Sequence, residues 1–285
     1  MKTPPHQTSS SSGPTAVIEL QNIHLQFGGQ KILDGVNLTV PTRERMVIMG
    51  QSGGGKSTLL RLILGILKPN AGSVQFKGIE VTRMGRRRLN KMRQKIGMVY
   101  QYSALISSLS VRDNLALPLE ELTSKSQKEI DELVNEKLEM VGMADVREKM
   151  PSELSGGMRK RIGLARALML DPEVILYDEP SAGLDPVISS VIDELIIEMS
   201  EKISATSVIV THEMDSAFRI ATRMAMLYQG KIHAEGTPEE FKEHCDPVVL
   251  QFITGDTEGP ILSSPPGSSS PKAASSDAEE AKMNA

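Results

Sequence analysis

One nine-residue stretch constrains this chain more than any other: Gly50-Gln51-Ser52-Gly53-Gly54-Gly55-Lys56-Ser57-Thr58. It follows a short apolar run, Met46–Met49, and precedes a helical segment from Ser57 to about Leu67 that Pro69 and Gly72 stop. Strand, glycine-rich turn and helix form the context that the pattern G-x-x-x-x-G-K-[S/T] requires to cradle phosphate. Glycines let the backbone wrap closely around an anion, because no Cβ obstructs the turn. The loop N–H groups and the start of the helix then face the negative charge. Lys56 is placed to hold the β- and γ-phosphates of a nucleotide, and the Ser57 hydroxyl to ligate Mg²⁺. A glycine-rich turn with a chance lysine is the competing explanation, and the flanking strand and helix weigh against it.

A second feature points the same way. The apolar run Val174-Ile175-Leu176-Tyr177 ends in two adjacent carboxylates, Asp178 and Glu179. Asp178 is expected to reach Mg²⁺, directly or through water, and Glu179 to polarise an attacking water as general base. An acid pair at a strand end is usually just solvated, but beside a phosphate loop it signals nucleotide hydrolysis. A third feature, Leu154-Ser155-Gly156-Gly157-Met158 followed by Arg159-Lys160-Arg161, opens a helix with a hydroxyl and free N–H groups. Alone it reads as an ordinary N-cap.

The rest of the chain bounds the fold. Strand-like runs at Val17–Leu20, Val36–Val40, Ile96–Tyr100, Val174–Tyr177 and Ser207–Thr211 alternate with helical stretches, including about Val187–Ile203. Residues 105–170 read as mostly helical, with Ile130, Leu133, Val134, Leu138 and Val141 keeping a helical period. Apolar strands alternating with helices give an α/β fold with a largely parallel sheet covered on both faces. Thr237-Pro238-Glu239-Glu240 opens a late helix with an N-cap, a proline at the first position and an acid at the third. Residues 1–15 are Ser/Pro-rich without an apolar signal core, and 263–285 are of low complexity, so both ends are expected to be disordered. The folded part is expected to be 16–262. The net charge of -4 and pI of about 5.8 lend no support to nucleic-acid binding. Cys245 is the single cysteine, which excludes an intrachain disulfide. No stretch approaches the ~18–20 apolar residues of a membrane span.

Over residues 17–245 the chain resembles the ATP-binding subunits of ABC transporters, with every motif of that family in order. Phe27 stands where the family places an aromatic that stacks on adenine. Gly50–Thr58 matches the Walker A loop, Gln101 the Q-loop glutamine, and Ser155, Gly156 and Gly157 the signature, here with Met158 where glutamine is commoner. Asp178 and Glu179 match Walker B, Ser181-Ala182-Gly183-Leu184-Asp185 the D-loop, and His212 the switch histidine. The resemblance implies a P-loop ATPase domain over 16–245. It would have a mostly parallel central sheet, an antiparallel β subdomain and a helical signature subdomain at about 102–170. It also implies ATP and Mg²⁺ as ligands, with Ser57, Gln101 and Asp178 on the metal and Glu179, His212 and Gln101 in the catalytic step. Two copies would close head to tail on two ATP molecules, each held between Walker A of one chain and the signature of the other.

A closer resemblance bears on cargo. The stretches 97–105 and 150–161, Met158, and the segment Val249–Ile261 are similar to the ATPases of MCE-type (Mla-like) phospholipid transport systems. That implies a membrane permease, docked on about residues 102–122, and an MCE-domain lipid-binding protein as partners. It places the chain peripherally on the cytoplasmic face of the inner membrane, with 246–262 as a C-terminal extension. One alternative keeps the motor but changes the cargo to amino acids or other small solutes. Another is a soluble, non-transport ABC ATPase, which usually carries tandem domains or a long coiled-coil insertion, and neither is present here.

Overall fold

The computed structural model describes residues 15–263, so both terminal stretches expected to be disordered lie almost entirely outside the described residues. The first unit, ending at Glu243, holds two sheets. Strands β1 (Ala16–Phe27) and β2 (Gln30–Pro41) form a long antiparallel hairpin around Gly28 and Gly29, both with positive φ. After β3 (Arg45–Met49) and helix α1 (Lys56–Ile63), β4 (Ala71–Phe76) returns to pair antiparallel with β1, and β5 (Ile79–Glu80) completes this four-stranded sheet.

Helix α2 (Arg86–Arg93) leads to β6 (Ile96–Val99). Three helices follow: α3 (Val111–Leu122), α4 (Gln127–Met140) and α5 (Gly156–Ala167). Ser110, Ser126 and Ser155 cap them, each hydroxyl accepting a backbone N–H three residues on. The apolar face of α4, with Ile130, Val134 and Leu138, is buried as its period requires. The chain then alternates through β7 (Val174–Asp178), α6 (Pro186–Ile203), β8 (Thr206–Thr211), α7 (Met214–Ile220), β9 (Arg223–Tyr228), β10 (Lys231–Gly236) and α8 (Pro238–Lys242). The second sheet has the order β10-β9-β3-β8-β7-β6, all parallel except β10. Its central strands β3, β7 and β8 are buried along nearly their whole length, which is why they read as unbroken apolar runs. The fold is the expected one: α/β, with a mostly parallel sheet, an antiparallel sheet and a helical segment.

Among the described residues, those from His244 onward form a unit of their own. In it, Asp246 caps α9 (Pro247–Thr254), Gly255 ends that helix in the left-handed region, and α10 (Pro260–Ser263) follows. Gln251 ties the two short helices together, donating to the Asp256 carbonyl and accepting from the Ile261 N–H. Among the described residues no helix is long and apolar enough to cross a membrane.

Candidate active site

The parallel sheet delivers the chemistry to one edge. β3 ends at Met49, and Gly50 turns the chain with φ +153, where an added Cβ would lie 2.3 Å from the Leu227 carbonyl oxygen. Only glycine fits that approach. The loop runs on to Gly55, which opens α1 in the left-handed region. Lys56, the first residue of that helix, is buried, and its ammonium donates to the Gly50 carbonyl at 2.7 Å and the Gln51 carbonyl at 3.1 Å. Burial lowers its pKa, and the nearby carboxylates of Glu179 and Asp178 oppose that shift.

Two adjacent strands meet this loop. The β7–β8 register sets Asp178 beside Val210. The Ser57 hydroxyl donates to Asp178 Oδ1 at 2.6 Å. Glu179, one residue past the strand, has φ +50, an uncommon conformation for a residue with a side chain. Its N–H is held by the Val210 carbonyl at 3.0 Å. Its carboxylate is clamped from both sides: Oε1 lies 3.6 Å from the Lys56 ammonium, and Oε2 lies 2.9 Å from His212 Nδ1 and accepts from the His212 N–H at 3.3 Å. A strained backbone under this much restraint is the pattern expected where geometry serves chemistry.

A cleft of about 270 Å³ is lined by Phe27, Ser52, Gly53, Gly55, Lys56, Ser57, Thr58, Gln101, Glu179 and His212, with Ile32. Most of the residues expected from the sequence to face a nucleotide are thus brought together at one cleft. Gly50, Gln51 and Gly54 complete the loop, and Asp178 stands behind Ser57. Phe27 is half exposed (49%), free to offer a ring face. The signature residues Ser155, Gly156 and Gly157 are not part of this lining. Ser155 is exposed at the start of α5, where its hydroxyl accepts from the Met158 N–H at 3.3 Å.

Three features escaped sequence reasoning. Lys160, read only as one of three basic residues after the signature, is buried, and its ammonium donates to the carbonyls of Gln101 at 2.5 Å and Glu179 at 3.2 Å. It ties the signature helix to both other motifs, and burial lowers its pKa. Asp193, fully buried on α6, accepts from Ser216 Oγ at 2.8 Å and from Arg219 at 2.7 Å. Ser216 in turn lies 3.3 Å from Ser181 Oγ, so the D-loop is linked to the helix that follows His212. The one sequence clue to Lys160 and Asp193 was a charge interrupting an amphipathic helix, which is usually just a solvated face, and the Ser216–Ser181 link left none.

The donor set also fits a hard divalent cation. A serine hydroxyl and a carboxylate meet at the strand end, oxygen ligands of the kind Mg²⁺ takes in small number alongside substrate phosphates. Among the described residues no group of three or more His, Cys, Asp or Glu could hold a metal, so no all-protein cage competes with that arrangement.

Residues 33–182 match the family model described as ABC transporter. The chain belongs to the ABC transporter family. It is 40% identical over 245 residues to the intermembrane phospholipid transport system ATP-binding protein MlaF of Haemophilus influenzae, covering 86% of this chain and 93% of that one. It is 40% identical over 266 residues to the probable ribonucleotide transport ATP-binding protein mkl of Mycobacterium leprae, covering 93% of this chain and 75% of the relative. It is also 39% identical over 262 residues to the chloroplastic protein TRIGALACTOSYLDIACYLGLYCEROL 3 of Arabidopsis thaliana, covering 86% and 75%. Among solved structures, the dimeric post-hydrolysis state of the ATP-binding cassette MJ0796 bound to ADP and Pi aligns with a TM-score of 0.71 at 32% identity, covering 78% of this chain and 98% of that one. The chain is an ABC ATPase: it binds and hydrolyses ATP.

Proposed function

We propose that this ATPase powers phospholipid movement between membranes as the motor subunit of an MCE-type transport system. The observation that carries this reading is the reach of the likeness to MlaF: 40% identity runs along 93% of that relative, well beyond the motifs all ABC ATPases share. A plant relative is also named for a galactolipid. The mkl relatives, named for ribonucleotide transport, are matched over about three quarters of their length.

In this reading the Gly50–Thr58 loop wraps the ATP phosphates with its N–H groups, Lys56 turns its ammonium from the loop carbonyls to the phosphate oxygens, and Phe27 stacks on adenine. Ser57, Asp178 and Gln101 would hold Mg²⁺, which when bound would supply positive charge against the β- and γ-phosphates. Glu179, held in place by His212 and Lys160, takes the proton of the attacking water. His212 also contacts the γ-phosphate. Ser155, Gly156 and Gly157 come from a second copy of the chain. Their absence from the cleft lining supports this, because one chain leaves the γ-phosphate side without its signature donors. Catalysis is then a matter of positioning and charge stabilisation. Opening of the homodimer after hydrolysis passes to a permease docked near residues 102–122, where Tyr102 (85% exposed) and Ile106 face solvent. The chain works peripherally at the cytoplasmic face of the inner membrane, beside an MCE-domain protein.

The test is affinity capture of the tagged chain from detergent-solubilised native membranes. A polytopic permease and an MCE-domain protein should co-purify with it. Capture of a permease with a solute-binding protein would discard the lipid cargo. Capture of no membrane protein would undo the transporter reading.

A further inference from the structure

Between Ser57 and Arg112 the chain carries eleven lysines and arginines and one acidic residue, Glu80. With the whole chain at -4, this +10 segment leaves -14 for the remainder. Much of that charge is exposed on helix α2 and the segments next to it. Helix α2 buries Met92 and leaves Arg86, Arg87, Arg88 and Lys91 exposed, and none of these four enters an ion pair among the described residues. Arg83, just ahead of the helix, is exposed and pairs with Glu80 at 2.9 Å.

Two exposed aliphatic side chains lie on the segments that pack against this helix. Arg93, at the end of α2, donates to the carbonyls of Leu64 at 2.9 Å and Gly65 at 3.1 Å, which seats the helix against the turn after α1. Ile66 on that turn is 56% exposed, and Lys68 follows it. Leu89 of α2 and Val81 both converge on Gly65, where an added Cβ would meet them at 2.8 and 2.9 Å. Val81 follows β5, on which Ile79 is 58% exposed. The turn after α1, the β5 segment and α2 therefore form one contiguous surface.

We propose that this surface docks the ATPase onto an anionic phospholipid bilayer. Clustered basic side chains concentrate at the negative surface potential of such a membrane, and each adds to the attraction. Ile66 and Ile79 suit insertion among headgroups, as aliphatic residues do beside a basic face. A nucleic acid is the other polyanion of this size, but single-strand binding surfaces interleave their cations with aromatic rings on which bases stack. Between Lys68 and Lys91 the one aromatic residue, Phe76, is buried, so no ring stands exposed among these cations. The proposal concerns the bilayer surface and not the cargo, so it stands independently of the phospholipid-transport reading.

The experiment is co-sedimentation of the full chain with sucrose-loaded vesicles of phosphatidylcholine, with or without phosphatidylglycerol. The wild type should sediment with the phosphatidylglycerol vesicles, be released by high salt and ignore pure phosphatidylcholine. The triple variant R86Q/R87Q/R88Q should bind about a hundredfold more weakly while hydrolysing ATP at the wild-type rate, which reports that it is folded. Equal sedimentation with both vesicle types, or unchanged binding by the triple variant, would overturn the proposal. So would tight binding of a single-stranded oligonucleotide by a chain that ignores the anionic vesicles.

Discussion

Glu179, the proposed base, is also held by residues outside the recognised motifs, Lys160 and Val210. Lys160 is the clearest case. Its ammonium bridges the Gln101 and Glu179 carbonyls from within the signature helix. Lys160→Met keeps the length of the side chain and removes both bonds. We expect kcat to fall tenfold to a hundredfold through misplacement of the base, with KM for ATP nearly unchanged, as steady-state ATPase assays would read. A matching loss in KM would assign Lys160 to substrate binding instead. The residues proposed to react, Lys56, Asp178 and Glu179, could be picked out in the sequence because phosphate chemistry demands fixed residue types at fixed spacings. Lys160, Asp193 and Ser216 could not, because their partners are main-chain carbonyls or side chains brought near only by the fold.

At the scale of elements, the junction between β3 and the phosphate loop depends on the close approach of Gly50 to Leu227. Gly50→Ala should cost about 1–3 kcal/mol, seen as a drop in Tm, and should weaken ATP binding by shifting the loop. A second joint is Glu173, whose carboxylate accepts from Lys77 and Lys95, both at 2.6 Å, and so ties the antiparallel sheet to the start of β6. These bonds hold its pKa below the ordinary 4.5. The stability they contribute is complete above that value and is lost as the pH falls through the lowered pKa. Thermal melts of Glu173→Gln should therefore lose less Tm than wild type on acidification below pH 4.5. The buried parallel strands and the Thr237 cap were readable from the sequence, because burial on both faces and capping each leave a local signature. β4 and β9 were not. β4 contains Gly72 and Ser73 and is specified by its pairing with β1, while β9 (Arg-Met-Ala-Met-Leu-Tyr) is built largely of helix-favouring residues held straight by β3. The same physics lengthens β1 and β2 beyond their apolar cores at Val17–Leu20 and Val36–Val40, since the hairpin ladder extends through exposed polar residues.

In the whole molecule, one chain is proposed to hold most of an ATPase site and a second copy to complete it. Walker A, Walker B, Gln101 and His212 meet at one cleft, and Ser155, Gly156 and Gly157 lie outside its lining. Turnover and association are therefore linked: a chain that binds ATP but cannot cleave it should stay closed on its partner. Glu179→Gln keeps the shape of the side chain and removes the base. The most direct measurement is light scattering on that variant during size-exclusion chromatography, with and without ATP and Mg²⁺, alongside its steady-state turnover. An ATP-dependent dimer retaining unhydrolysed nucleotide is expected, with kcat lower by roughly a hundredfold to ten-thousandfold. A monomer at saturating ATP, or hydrolysis near the wild-type rate, would contradict it.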